Sequence, residues 1–215
     1  MLNFHIVMAF YREYLHETIK KDIKNMDVYW HPICEPHEIK YFEKETESFI
    51  QPIVSEIKNH YMVGYEKLNR FIELATIIDD HYYGFLGDDD MYAPGFIQKI
   101  MKFTNAKIII FSASRGDNSP APTDTAYQWP AAPLYQHNLN DIRVANIDLC
   151  QMIVRGDILK QTRFQEASSC DDGQYAENLR NKWPDDILIL SEIGVFKSFY
   201  EKGRYNTNIN THRIM

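Results

Sequence analysis

Short apolar runs alternate with stretches of helical spacing over the first 112 residues, and this alternation restricts the fold more than any other feature of the chain. Phe4 to Phe10 is rich in strand formers, and Leu15, Ile19 and Ile23 then recur at helical spacing. Residues 27–33 read as a second strand. Residues 35–60 read as a charged helix with Phe42, Phe49, Ile53 and Ile57 on its buried side, and 65–78 as another helix. The aromatic run His81 to Gly87 and the run Ala106 to Ser112 read as further strands, and 91–100 as a helix with Pro94 in its first turn. Such alternation predicts an α/β, Rossmann-like fold: a central, mainly parallel mixed sheet flanked by helices.

With 215 residues, 45% of them hydrophobic, the chain can bury a full core as one domain, 1–215. Its first part, to about residue 112, has the pattern of a nucleotide-binding half. From 113 to 141 the pattern breaks into a loop with Pro120, Pro122, Pro130 and Pro133, and strand signals return at 144–153, 187–190 and 195–199. A polar loop spans 163–173, a helix 174–182, and a polar tail follows from Gly203.

The net charge of −7 and an isoelectric point near 5.6 argue against a nucleic-acid partner. The odd count of cysteines, Cys34, Cys150 and Cys170, without zinc spacing, fits reduced thiols and a cytoplasmic location. The N-terminal apolar stretch is short and lacks a basic leader, and no run approaches the ~20 apolar residues of a membrane span.

Asp88, Asp89 and Asp90 follow the aromatic run directly. Carboxylates so close repel one another unless a cation neutralises them, and Asp88 and Asp90 project to the same side if the strand continues. The triplet therefore reads as a grip for Mn²⁺ or Mg²⁺ beside a phosphorylated ligand, or more plainly as an acidic helix cap. A calcium loop fails, because the twelfth position from Asp88 is Lys99. A phosphotransferase of the haloacid-dehalogenase type would want Thr or Val where Tyr92 stands. Asp171 and Asp172, ahead of the helix at 174–182, suit a general base or a simple acidic helix start. His212 in the tail is a solvated side chain or a nitrogen donor to the metal.

Phe85-Leu-Gly-Asp-Asp-Asp-Met-Tyr-Ala-Pro-Gly-Phe-Ile97 resembles the DxD region of GT-A fold glycosyltransferases. His5 to Leu15 is similar to the first strand and turn of that fold, Gly64 to Arg70 to the stretch that closes over uracil, and Ile147 to Ile158 to the acceptor-side strand. The chain as a whole also resembles chlorovirus glycosyltransferase domains that build glycans on a capsid protein. The resemblance implies transfer of a hexose or deoxyhexose from a UDP-sugar donor to a glycan or glycoprotein acceptor. It places Asp90, with Asp88 and His212, at Mn²⁺ or Mg²⁺, Asp88 at the ribose and Asp89 in support. It puts Phe10, Tyr11 and Arg12 beside the nucleotide, Lys67 or Asn69 near the base, and Asp172 or Asp171 at the anomeric carbon. Phe-Tyr-Arg stands where many relatives have Tyr-Asn-Arg. Asp172 acting as base on the acceptor hydroxyl would invert the product, while a tail histidine on the metal resembles retaining members and favours retention over inversion. A non-catalytic module that binds a nucleotide sugar or carbohydrate is the alternative from another class.

Overall fold

The computed structural model describes residues 3–10, 12–56, 63–103, 105–115, 136, 138–144, 146–165 and 171–197. Eight strands form one sheet: β1 (Phe4–Ala9), β2 (Tyr29–Cys34), β3 (Ile53–Val54), β4 (Tyr82–Gly87), β5 (Met91–Tyr92), β6 (Ile108–Arg115), β7 (Met152–Arg155) and β8 (Ile187–Lys197). Their order across the sheet is β3-β2-β1-β4-β7-β6-β8-β5. Strands β1 to β4, β6 and β8 run one way, and β7 and β5 run against their neighbours. Among the described residues five α-helices accompany them: α1 (His16–Lys24), α2 (Val63–Leu74), α3 (Phe96–Ile100), α4 (Gly156–Leu159) and α5 (Asp171–Lys182). The expected α/β domain with a mainly parallel mixed sheet is the observed one.

The period of two along each strand builds two cores. Phe4, Ile6 and Met8 of β1 join Tyr82, Leu86, Ile109 and Phe111 on one face, closed by Ile19 and Ile23 of α1 and by Phe96, Ile97 and Ile100 of α3. Val7 joins Tyr83, Phe85, Ile108 and Ile110 on the other, closed by Leu68, Phe71 and Ile72 of α2 and by Tyr175, Ala176 and Leu179 of α5. Central strands buried on both faces read as continuous apolar runs, which is why β1, β4 and β6 stand out in the sequence.

Several elements differ from the sequence expectation. Residues 35–60 hold no long helix among those described; Ile39–Tyr41 is a single 3₁₀ turn and Ile53–Val54 pairs with Ile33 and Cys34 as β3. Pro52 has no N–H for a helix there, and the Gln51 N–H donates instead to the Trp30 carbonyl at 2.8 Å. Phe42 and Phe49 are buried as expected, but in turns; Ile57 lies outside the described residues. Met91 and Tyr92 pair with β8, so the following helix begins only at Phe96, after Gly95 in a left-handed conformation with φ +75°. The strand expected at 144–153 is β7, shifted to Met152–Arg155 and antiparallel. The two apolar runs near 190 are one strand, β8, whose register against β6 slips around Ser112.

Gly156 closes β7 onto the segment before β4: its N–H donates to the His81 carbonyl at 2.8 Å. A methyl group there would stand 2.0 Å from the Ile78 carbonyl oxygen, a backbone atom with no rotamer to move. Gly156→Ala is expected to cost about 1–3 kcal/mol, seen as a lower thermal midpoint with the far-ultraviolet spectrum unchanged.

Candidate active site

Chain direction makes the carboxyl ends of β1 and β4 the switch point of the sheet, the place where an open α/β sheet is expected to open its ligand crevice. From β1 the chain crosses to β2 on one side, while β4 lies on the other, and such switch points are where open α/β sheets bind ligands. Ala9 is in register with Gly87, so the residues after each strand meet. The Arg12 backbone N–H donates to Asp88 Oδ2 at 2.6 Å, and its guanidinium bonds Asp88 Oδ1 and lies 3.4 Å from Asp89. Asp88 is 1% exposed, whereas the Arg12 side chain is 35% exposed.

The other side chains expected near the nucleotide have defined places. The Phe10 ring is core, edge-on to Phe42 with centroids 5.1 Å apart. Its carbonyl accepts from the fully buried Lys67 ammonium at 2.5 Å, and Lys67 also pairs with Glu38 at 3.0 Å. Asn69 donates to the Phe164 carbonyl and accepts from the Phe164 N–H, both at 2.9 Å, so it clamps the 162–165 segment. Lys67 and Asn69 thus shape the turn after β1 and the segment facing it. Tyr11 and His212 lie outside the described residues.

A second carboxylate group closes the crevice where β7 starts and β8 ends. Asp148 caps the 3₁₀ turn Leu149–Gln151, with the reciprocal bond from its own N–H to Gln151 Oε1 at 2.9 Å. Its carboxylate takes the Lys197 ammonium and the Cys150 thiol. Burial works to raise the Asp148 carboxyl, and the bonded ammonium outweighs it, so the group is held below the usual range. Burial and the Asp148 charge push the Cys150 thiol far up, which makes it an inert core group.

Asp172 sits in the first turn of α5, 5% exposed, with Asp171 buried beside it. It accepts from the Gly173 N–H at 2.7 Å and the Leu149 N–H at 3.3 Å. Burial, followed by the nearby Asp148 charge, raises its carboxyl to about 7. Asp90, also buried, accepts from the Gly87 N–H at 3.3 Å and acts electrostatically on Lys197 and Cys150.

The structure therefore brings Arg12, Asp88, Asp89, Asp90 and Asp172 to one edge of the sheet, and adds Asp148 and Lys197, which the sequence reading did not single out. Asp148 carries a signal in retrospect, the Asp-x-x-Gln capping pattern before an apolar run. Lys197 carries none, since 49 positions separate it from Asp148.

Mn²⁺ and Mg²⁺ take hard oxygens, and aspartates are the right donor type. As arranged, these aspartates do not fit a divalent ion. Both oxygens of Asp88 accept from Arg12, and the Lys197 ammonium is bonded to Asp148 within electrostatic reach of Asp90. Among the described residues, the group whose ligand atoms converge for one ion is His16, Glu17 and Glu45, where Lys20 already pairs with Glu45 at 2.5 Å.

No family model and no curated protein sequence matches the chain. Solved structures do share its fold. The inositol-1-phosphate CTP transferase from T. maritima aligns with a TM-score of 0.54 at 12% identity, over 97% of this chain and 93% of that one. HddC from Yersinia pseudotuberculosis aligns with a TM-score of 0.50 at 7% identity, over 92% and 96%. What these two structures share with the chain is the fold, a single α/β domain with a mostly parallel mixed sheet flanked by helices. Among the described residues no helix is long and apolar enough to cross a membrane.

Proposed function

We propose that the protein is a nucleotide-binding transferase that moves a hexose or deoxyhexose from a UDP-sugar to a hydroxyl of a glycan or glycoprotein. The observation that supports this reading is Asp172, a buried carboxyl held near 7 at the edge of the crevice. A sugar hydroxyl must lose its proton as it attacks, and a base of that strength is matched to the task at neutral pH. A phosphate nucleophile, as in nucleotidyl transfer, is already ionised and needs no such group. The turn from Phe10 to Leu15 also contains no glycine, whereas backbone cradles for phosphate groups after a first strand are glycine-rich.

In the proposed step the bond between the anomeric carbon and the diphosphate oxygen breaks, its electron pair leaving with UDP. The acceptor oxygen bonds to that carbon and its proton passes to Asp172. Arg12 and Lys197 are the cations that face the departing charge. Direct displacement inverts the anomeric centre. Retention, expected from the tail, rests on His212, which lies outside the described residues.

Nucleotidyl transfer is the second reading, favoured by the likeness to the CTP transferase. A panel of UDP-hexoses and UDP-deoxyhexoses with glycan acceptors, run beside CTP with sugar phosphates, separates the two. Release of UDP with an inverted product is expected. Release of pyrophosphate without UDP would move the assignment to the second reading.

A further inference from the structure

We propose that Lys197 is the resident counter-cation of the crevice, occupying among Asp148 and Asp90 the role that a divalent ion takes in a metal-dependent site, so that such an ion enters only by displacing it. Lys197 is the final residue of β8, in register with Arg115 of β6, and this brings it to the same sheet edge as the aspartates. Its ammonium is bonded to Asp148, with the two side chains 17% and 11% exposed. Asp148 from the turn before β7 bonds it, and Asp90 from the turn after β4, Asp172 from α5 and the Cys150 thiol lie within its electrostatic reach. One ammonium is therefore shared electrostatically among three buried carboxyls on three different elements.

Buried carboxylates this close to one another are stable only with a positive charge between them. The chain supplies that charge covalently, on a strand whose eleven residues and register slip deliver it there. A doubly charged ion placed on Asp148 would meet the ammonium at a few ångströms and be repelled, most strongly where water is excluded. The lysine stem is flexible enough to swing out, so exchange is possible but opposed. The same placement lets the ammonium face a diphosphate. That last point rests on the donor reading; the competition with metal does not.

The test uses MnCl₂ alone, titrated calorimetrically into the full chain without nucleotide. Wild type is expected to bind Mn²⁺ weakly, and Lys197→Met at least about tenfold more tightly, since the competing charge is gone. Asp148→Asn combined with Lys197→Met removes both charges, is expected to keep the fold, and loses the gain. Should Lys197→Met be too unstable to titrate, its thermal midpoint in millimolar MnCl₂ decides: a rise of several degrees not shared by wild type supports the proposal. Equal Mn²⁺ affinity in wild type and Lys197→Met, or no rise in the midpoint, overturns it. UDP binding measured separately leaves this outcome distinct from that of the donor assignment.

Discussion

Asp172→Asn is expected to lower sugar-transfer turnover by about 10²–10⁴-fold with UDP affinity little changed. The substitution keeps the shape of the side chain and removes only its capacity to take a proton, so the loss falls on kcat and not on KM. Wild-type activity should rise with pH through about 7, where Asp172 ionises, and the residual activity of the variant should lack that rise. Stability moves the other way. A carboxyl whose folded pKa is raised binds its proton more tightly when folded, so its stabilising contribution is present at low pH and lost as pH rises through about 7. Asp172→Asn should therefore melt higher than wild type at pH 8, where burial first and the Asp148 charge second penalise the ionised carboxylate. A variant that is both inactive and strongly destabilised at that pH would mean that Asp172 is structural.

The second large effect is loss of stability in mild acid, from a histidine chain at the opposite end of the sheet. His5 of β1 bonds His31 of β2 through Nδ1 at 2.7 Å and His81 through Nε2 at 2.8 Å, and its ring stacks on Tyr29 and Tyr83. A groove of about 400 Å³ opens beside them, with Gln51 and Thr76 on its wall. Burial, then the neighbouring imidazoles, lowers His5 to about 3, and burial lowers His31 to about 4. Both folded values lie below the ordinary 6.5, so the unfolded chain binds protons first. Stability from these two groups is complete above about pH 6.5 and is lost as pH falls, through about 4 for His31 and about 3 for His5. Each contributes on the order of a few kcal/mol at neutral pH. Thermal midpoints should drop steeply between pH 6.5 and 4.5, and the slope should shrink in His31→Phe, which packs against Phe71 without a titrating group. A flat profile in wild type would show that the chain is hydrated and not buried.

The strands buried on both faces are legible because their residues form continuous apolar runs, and the triplet is legible as a group that needs a counter-charge because adjacent carboxylates repel one another. The segment from 35 to 60 misled for a physical reason. Its charges and spaced aromatics satisfy a helical period, but Pro52 and the pairing of Gln51 with Trp30 serve the sheet edge instead, and only tertiary contact reveals that. The resemblance places Lys67 or Asn69 near the base, and the structure bonds Lys67 to Phe10 and Glu38 and Asn69 to Phe164. Asp148 and Lys197 meet through a strand pairing that no local pattern encodes. The site is therefore half legible: its strand ends can be read from the chain, while its counter-charges depend on the register of β8.

The central claim is that the ends of β1 and β4 receive a uridine diphosphate. Calorimetry of UDP with wild type and with Asp88→Asn addresses it most directly, because Asp88 and Arg12 join the two strand ends. Wild type is expected to bind UDP with one site, and Asp88→Asn at least about tenfold more weakly, the loss of one charge-assisted bond. Absence of UDP binding by wild type, or unchanged binding by a folded Asp88→Asn, would contradict the account.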